Sequence, residues 1–258
     1  MFEIMEAQSQ DAVIKVIGVG GCGGSDLDHF AEQLRVAAAQ GKRFLFRSAA
    51  SLLTALARLP AQPVAAQAMA RYVREGKPGA IIVGSHVKKT TLQLEQLLKM
   101  PGVTPIEVNV GQLHAQRDVL LAEIVRKCEQ IHAAGHTPVV FTSRLEIVFP
   151  DQATRLAFGD MVSAFLMDVV RNLPVTLGFL ISKGGITSND VLSSGLALRT
   201  SRVVGQILPG CSVVCCPADH PRYPNLPVVI FPGNVGDDQA VATAYARLTG
   251  IKFEPPGV

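Results

Sequence analysis

The sequence predicts an α/β protein with a mainly parallel sheet, helices on both sheet faces, and a small α/β segment in front. Apolar runs typical of buried strands alternate with helical patterns of about ten to nineteen residues, as parallel sheets with helical crossovers require. Two of these runs end in glycine-bearing turns. At 258 residues, of which 48% are hydrophobic and 17% charged, the chain is long and apolar enough to bury a substantial core.

The first 78 residues predict a short series of elements separated by glycine and proline. Ser25 is expected to be the N-cap of the first helix, since a serine side chain accepts a hydrogen bond from the first turn, and Gly41 to end that helix. The predicted elements are strand 12–19, the helix between 25 and 41, strand 43–47, helix 49–57, a proline-flanked linker at 61–66 and helix 67–75.

The rest of the chain predicts a regular alternation of strand and helix. The predicted strands are 80–83, 106–110, 137–141, 177–181, 205–214 and 227–231; the predicted helices are 90–100, 119–134, 154–172, 188–198 and 239–248. In parallel sheets ligands bind beyond the carboxyl ends of the strands. We therefore expect the loops at Gly84, Thr142, Lys183 and Pro232 to lie together at that edge.

Two glycine-bearing turns, at 182–190 and 232–238, predict a nucleotide site. In each, a buried strand gives way to a helical pattern through glycines and small hydroxyl or amide residues. Free backbone N–H groups and the positive end of a helix dipole both favour a phosphate at such a place, and glycine lets the backbone approach closely.

Composition excludes several other classes of protein. A net charge of +3 is too small to favour nucleic acid or an anionic membrane as a partner. No apolar run is long enough to span a bilayer, and the first residues lack the basic start of a secretory signal. The five cysteines form no C-x-x-C pair, which is typical of a reduced, cytoplasmic protein.

The glycines at 18–23 match a dinucleotide-binding fingerprint but lack the acidic residue expected about 20 residues later, where the chain has Gln40 to Arg43. Residues 1–24, especially VIKVIGVGG at 13–21, resemble the start of the tubulin-like bacterial cell-division GTPase. That family also has a G-G-G-T-G-T-G phosphate loop, which does not occur in this sequence. The resemblance ends there, and a polymerising GTPase is a minor hypothesis.

Five motifs in order resemble the four-carbon acid sugar kinases, a family first described as a domain of unknown function. They are FRSAAS at 46–51, VGSHVKKTTLQL at 83–94, TSR at 142–144, SKGGITSND at 182–190 and FPGNVGDD at 231–238. The resemblance implies an N-terminal domain that binds a sugar acid and a C-terminal domain that binds ATP. It divides the chain into a foreign-looking segment at 1–24, a remnant of the sugar-acid-binding domain at 25–78 and an ATP-binding domain at 79–258.

Together the turns and the resemblance assign residues to roles. The candidate ATP contacts are Ser85, Gly184, Gly185, Gly233, Asn234, Val235 and Gly236. Asp237 and Asp238 are candidate ligands of Mg²⁺, or else first-turn acids that the helix dipole favours. Arg47 and Ser48 are candidates for the substrate carboxylate, because the arginine fork suits carboxylates. Lys183 either meets a phosphate or is solvated, and Arg144 contacts a phosphate or a partner domain.

Two functions follow from these assignments. The first is ATP-dependent phosphorylation of a hydroxyl on a tetronate-like sugar acid. Members of the resembled family begin with an Asp-Asp-x-Thr-Gly-Ala turn that is absent from this sequence, so the second is an ATP-binding module without catalytic activity. A two-domain protein shortened in this way exposes an apolar surface near 42–80, which predicts self-association or a partner that supplies the missing domain.

Overall fold

The computed structural model describes residues 24–46, 48, 50–144 and 147–253, and the chain divides after Ala61 into two compact units. The predicted strand 12–19 and Arg47 lie outside the described residues. The two units are described separately below.

The first unit contains the helices α1, Gly24–Ala39, and α2, Ala50–Leu56. Leu27, Ala31 and Leu34 recur at helical spacing on one face of α1 and pack with Leu52. The predicted strand at 43–47 is wrong for the residues described: 42–46 have no regular structure, and Leu45 is 81% exposed. Among the described residues of this unit no strand is present to pair with it, and an isolated strand cannot satisfy its backbone hydrogen bonds.

The second unit is built on one seven-stranded sheet in the order β2-β3-β1-β4-β7-β6-β5. The strands are β1 Ala80–Val83, β2 Val103–Val108, β3 Thr137–Thr142, β4 Leu180–Lys183, β5 Arg202–Leu208, β6 Cys211–Cys215 and β7 Pro227–Phe231. The neighbours among β2, β3, β1, β4 and β7 pair in parallel, whereas β6 pairs antiparallel with both β7 and β5. This confirms the predicted mainly parallel α/β fold.

Helices cover both faces of this sheet. They are α3 Lys88–Leu97, α4 Leu113–Ala133, α5 Gln152–Arg171, α6 Gly185–Asp190 and α7 Ala240–Thr249. Ala80 and Ile82 of β1 point into a core with α4 and α5, and Ile81 and Val83 point into a second core with α3 and α7. Each central strand is buried on both sides, because successive side chains of a strand alternate between the two faces.

The structure corrects the predicted bounds of one strand and two helices. The single strand predicted at 205–214 is a hairpin of β5 and β6, and Gly210, at φ +78°, supplies the turn between them. The helix predicted at 188–198 begins three residues earlier and passes into a π-helical turn, Val191–Gly195. The helix predicted at 67–75 is two 3-10 segments, Ala66–Tyr72 and Arg74–Gly76.

These 3-10 segments pack on the sheet unit. Met69 is fully buried in the core that contains α3 and α7, and Arg74 donates to the carbonyl of Leu177 at 3.1 Å. The compact division after Ala61 therefore precedes residue 78, where the sequence predicts the end of the sugar-acid-binding remnant. The functional boundary stays a prediction.

Among the described helices, none combines the length and apolar character needed to cross a bilayer.

Candidate functional site

The chain leaves two adjacent central strands toward opposite faces of the sheet. After β1 it enters α3, whose Leu94 and Leu97 pack in the core with α7. After β4 it enters α6 and the π-helical turn, whose Val191 packs in the opposite core. Where neighbouring parallel strands diverge in this way, a crevice opens at their carboxyl ends, and ligands of open α/β sheets bind there.

The turn after β1 lies on one side of this crevice. Arg144, which follows β3, donates from Nη1 to the carbonyl of Ser85 at 2.6 Å, and Thr90 Oγ1 is 3.3 Å from Ser85 Oγ. A Cβ on Gly84 would lie 2.3 Å from Thr187 Oγ1, so only glycine fits against α6 at this point. Ser85 is thus held half-exposed at the sheet edge.

Arg144 also has unused capacity for hydrogen bonding. Its Nε and Nη2 are buried without a hydrogen-bond partner in the part of the chain that is described, and burial lowers the pKa of the guanidinium. The nearby Glu107 has the weaker, opposite effect on that pKa. The interpretation of Arg144 as a phosphate or partner contact remains a prediction, while its placement of Ser85 is a structural finding.

The turn after β4 is fixed by its serines. Ser188 Oγ donates to the carbonyl of Ser182 at 2.8 Å, and Ser182 Oγ bonds the carbonyl of Val229 at 3.0 Å. Gly184 has a φ of +122°, which side-chain-bearing residues rarely adopt, and a Cβ on it would lie 3.3 Å from Ser85 Cβ. Gly185 faces open space. The structure therefore brings Ser85, Gly184 and Gly185 together, as the sequence predicts.

The loop after β7 is tied to β4 by Lys183. Its Nζ donates to the carbonyls of Pro232 at 2.7 Å and Gly233 at 3.0 Å and lies 4.5 Å from the centre of the Phe231 ring. Only 1% of Lys183 is exposed and its Nζ bonds backbone carbonyls, so neither a solvated lysine nor a direct contact with a phosphate fits its position. Burial is the main reason that its pKa is lowered to about 8; the Cys211 thiolate would oppose the shift and Lys89 adds to it.

Two side chains of α3 hold the same loop. Gln93 Nε2 donates to the carbonyls of Val235 at 3.0 Å and Asp237 at 2.7 Å, and Lys89 Nζ donates to the carbonyl of Asn234 at 3.2 Å. The loop after β7 is therefore tied by direct hydrogen bonds to the end of β4 and to α3, the helix that follows β1. A Cβ on Gly233 would meet nothing within 4 Å, so this part of the loop faces open space.

The two candidate metal ligands begin the turn that leads into α7. Asp237 Oδ1 accepts a hydrogen bond from the backbone N–H of Gln239 at 3.0 Å, and both Asp237 and Asp238 are exposed. Both residues precede Gln239, the N-cap of α7, so the alternative that they are first-turn acids is wrong, and Asp237 stabilises the turn before the helix. Within the described ranges no three acidic, histidine or cysteine side chains gather as a metal cluster. Carboxylates in this position still fit a Mg²⁺ that keeps most of its ligands from phosphate and water.

The structure does not test the two candidate substrate residues. Arg47 lies outside the described residues, and Ser48 is an exposed residue of the first unit.

Sequence reasoning missed Gln93 and Lys89 as residues that hold the site. Gln93 is fully buried in the stripe that Thr90, Leu94 and Leu97 form along α3. A glutamine at a buried helical position must find hydrogen-bond partners, and that was the available signal. Lys89 has no comparable signal, because a lysine pair before a helix is ordinarily solvated.

The described residues also form a cavity of about 310 Å³ against α5 and the π-helical turn. It is lined by polar residues that include Asp160, Ser163, Asp168, Arg171 and Asp190, and it contains none of the candidate nucleotide contacts. Asp168 in its wall pairs with both Arg117 and Arg171. These ion pairs give the cavity wall a structural role.

Comparison with known proteins agrees with the geometry of the crevice. Residues 80–241, more than half of the chain, match the family described as the nucleotide-binding C-terminal domain. No curated protein matches the chain.

Two solved proteins share the fold. One is a domain of unknown function (DUF1537) from Bordetella bronchiseptica, a domain-swapped dimer with bound citrate: 17% identity, TM-score 0.56, with 91% of this chain and 53% of that chain covered. The other is a Salmonella typhimurium LT2 protein provisionally described as a tRNA synthase: 15% identity, TM-score 0.58, with 88% and 50% covered. The chain thus spans about half the length of these solved structures.

The crevice between β1 and β4, the glycine-bearing loops around it and the match over 80–241 point to the same conclusion. The chain belongs to the family of the nucleotide-binding C-terminal domain.

Proposed function

We propose that the chain binds ATP in the crevice at the carboxyl ends of β1, β4 and β7. The observation that carries this proposal is that β4 and α3 hold the loop after β7 at the point where the chain leaves β1 and β4 toward opposite faces. Ser85, Gly184 and Gly185 form one wall. Gly233, Asn234, Val235 and Gly236 form the other. Open space at Gly185 and Gly233 leaves room for a ligand against the backbone of both walls.

The nucleotide is proposed to bind with Mg²⁺ near Asp237 and Asp238. Mg²⁺ is usually held in nucleotide sites by one or two carboxylates together with phosphate oxygens and water. Both carboxylates are exposed and follow directly on the proposed phosphate loop. When bound, ATP–Mg²⁺ would supply the phosphoryl group for transfer, and the role of the loop backbone would be to orient and neutralise its charge.

We further propose that the complete protein phosphorylates a hydroxyl of a tetronate-like sugar acid in the cytoplasm. The motifs shared with the four-carbon acid sugar kinases support this reaction, and Arg47 with Ser48 is the proposed carboxylate contact. The Bordetella bronchiseptica protein has bound citrate, a small carboxylic acid, which supports an acid as the substrate class. Its domain-swapped dimer supports a second copy of the chain as a partner here.

Isothermal titration with ATP–Mg²⁺ and GTP–Mg²⁺ tests the binding site. Gly233→Val places a branched side chain in the crevice without strain, because Gly233 has an ordinary φ and open space at Cβ. Gly159→Val is the matched control: this exposed glycine of α5 also has nothing within 4 Å of a Cβ. We expect the wild type and Gly159→Val to bind ATP alike, and Gly233→Val to lose about tenfold or more in affinity, or about 1.4 kcal/mol.

Failure of the wild type to bind ATP, or equal binding by Gly233→Val, would overturn the site. Preferred binding of GTP would instead favour the hypothesis drawn from residues 1–24. A turnover assay with ATP and a panel of four-carbon sugar acids then separates the two functions. Phosphoryl transfer supports the kinase, whereas ATP binding without transfer to any sugar acid supports the non-enzymatic module.

A further inference from the structure

In the loop after β7, almost all of the carbonyl groups accept hydrogen bonds from side chains of β4 and α3. Lys183, Lys89 and Gln93 supply the side-chain donors, and the backbone N–H of Ala240 also donates to the carbonyl of Asp237. The bonded carbonyls are those of Pro232, Gly233, Asn234, Val235 and Asp237, that is, five of the six from 232 to 237.

In a trans peptide unit the C=O and the following N–H point in opposite directions. The N–H groups of Gly233 and Asn234 therefore point away from Lys183, and those of Val235 and Gly236 point away from Lys89 and Gln93. Within the described ranges, none of these four N–H groups donates to another residue. Successive free N–H groups on one side of a loop form a concave site for an anion.

Lys183 is the one donor of the three that is both charged and fully enclosed. It lies at the end of β4, under the loop, and its Nζ is occupied by two carbonyls and the Phe231 ring. A side chain that is 1% exposed cannot itself contact a nucleotide. Its charge acts on the loop, because hydrogen bonds from a charged donor are about twice as strong as neutral ones.

We propose that Lys183 is a positioning residue that holds the N–H groups of Gly233 and Asn234 toward the crevice, where they bind the phosphate chain of the nucleotide. This inference rests on the proposed function and deepens it, since it assigns the loop after β7 to the polyphosphate. Lys183 acts through the backbone and makes no contact with the ligand. The four N–H groups supply the contacts.

The charge on Lys183 makes this arrangement sensitive to pH. The groups that face its ammonium are the Cys211 thiol of β6, Lys89 of α3 and the ring of Phe231. Burial raises the pKa of Cys211 to about 12, so this thiol stays neutral in the range considered. The pKa of Lys183 is about 8. Above that pH its neutral amine still donates two hydrogen bonds, but the added strength that comes from the charge is lost.

Two measurements on the full chain test the proposal. Lys183→Met keeps an unbranched side chain that is one atom shorter and removes every donor. Lys99→Met is the control, because Lys99 is an exposed lysine of the turn after α3 whose Nζ bonds Gln96 Oε1 on the same helix. Backbone ¹⁵N relaxation of the ligand-free protein near pH 7 reports the order of Gly233, Asn234 and Gly236. Titration with inorganic tripolyphosphate and with ATP reports affinity and the shifts of the same amide signals.

We expect the wild type and Lys99→Met to show rigid loop amides with order parameters of about 0.85, and Lys183→Met to fall below about 0.6. Tripolyphosphate and ATP should shift these amide signals in the wild type, with affinity about tenfold weaker in Lys183→Met. Wild-type affinity for ATP should also weaken severalfold between about pH 7.5 and 9.5, and that of Lys183→Met should stay flat.

Unchanged loop order in Lys183→Met would overturn the positioning role, whether or not any nucleotide binds. Binding of ATP that leaves the Gly233 and Asn234 signals in place would overturn the assignment of this loop to the phosphates while sparing the proposed function. If the wild type binds neither ATP nor tripolyphosphate, the proposed function and the phosphate assignment both fall, and the relaxation data alone decide the role of Lys183.

Discussion

The side-chain amide of Gln93 bonds the backbone carbonyl of Asp237 at 2.7 Å, across 144 residues of sequence. The same Nε2 also bonds the carbonyl of Val235 at 3.0 Å. The helix that follows β1 thereby fixes the loop that follows β7, two strands away in the sheet. Because Gln93 is fully buried, water does not reach its side chain.

Replacing Gln93 should loosen this junction. Gln93→Leu leaves the carbonyl of Val235 without its donor and the carbonyl of Asp237 with only the backbone N–H of Ala240. We expect the free energy of unfolding to fall by about 1–3 kcal/mol, the cost of an unsatisfied buried polar group. Gln93→Glu should be at least as damaging, since a carboxylate cannot donate to a carbonyl. Gln96→Leu on the same helix is the control and should change stability by less than about 0.5 kcal/mol. A Gln93→Leu protein as stable as the control would contradict the role given to this amide.

The amino-acid composition offers a convenient probe for such measurements. The chain has no tryptophan, and its three tyrosines, Tyr72, Tyr223 and Tyr245, all lie in the second unit. Urea denaturation followed by tyrosine fluorescence therefore reports the stability of the sheet unit alone.

Gly84 and Gly185 should respond differently to the same substitution. Gly84→Ala places a Cβ 2.3 Å from Thr187 Oγ1, and we expect a loss of about 1–3 kcal/mol in the free energy of unfolding from overpacking. Gly185→Ala enters open space in the first turn of α6 and should cause no loss of stability. Equal stability of the two variants would show that the turn after β1 can move away from α6.

The lowered pKa of Lys183 predicts how stability depends on pH. Its pKa is about 8 in the folded protein against an ordinary value of 10.5, so between these pH values the unfolded chain binds more protons than the folded one. Stability contributed by this group must therefore rise as the pH increases from about 8 toward 10.5. Below pH 8 the cost of burying the charge is present in full.

Comparison of two variants isolates this contribution. The pH dependence of unfolding in Lys183→Met should lack the rise that the wild type and Lys99→Met share in that range. A parallel rise in all three proteins would assign it to another group.

Asp168 should stabilise the second unit through its two arginine partners. Burial raises the pKa of Asp168, but hydrogen bonds from Arg117 and Arg171 outweigh burial and hold the pKa below its ordinary value of 3.8. Asp168→Asn should therefore cost about 1 kcal/mol at neutral pH, a contribution present above the ordinary pKa and lost as the pH falls through the folded value.

Asp118→Asn is the matched control for this pair. Asp118 Oδ1 lies 3.7 Å from Nη1 of the same Arg117, but the side chain of Asp118 is 96% exposed. Its replacement should therefore have no measurable effect on the free energy of unfolding. If both variants behave alike in urea denaturation at pH 7 and at pH 3, the ion pairs of Asp168 contribute nothing.

Some elements of the fold could be predicted closely from sequence, because neighbouring residues alone specify them. The bounds of β1 and β7 match the prediction, because each is a short apolar run between clear turn residues. The hairpin of β5 and β6 was missed because apolar residues lie on both sides of its turn, Pro209 and Gly210, so that the pattern predicts a single strand. The predicted strand at 43–47 was wrong because its pairing depends on a neighbour that the described residues of the first unit do not provide.

The candidate site divides in the same way. Ser85, Gly184 and Gly233 lie in loops that could be predicted, because strand ends and glycines are visible in sequence, and their contact with nucleotide stays a prediction. The roles of Lys183 and Gln93 could not be predicted, since each acts on carbonyl groups 49 or more residues away along the chain.

The alternation of apolar strands and helices, the parallel sheet that this alternation requires, and the edge of the sheet at which the loops lie all follow from the amino-acid sequence. Hydrophobic periodicity and turn residues involve only a few neighbouring residues, so the elements that they specify can be predicted from the sequence. Only the tertiary structure decided that the ammonium of Lys183 is buried beneath the loop of Gly233, because burial and hydrogen bonding between strands depend on which segments the folded chain brings together.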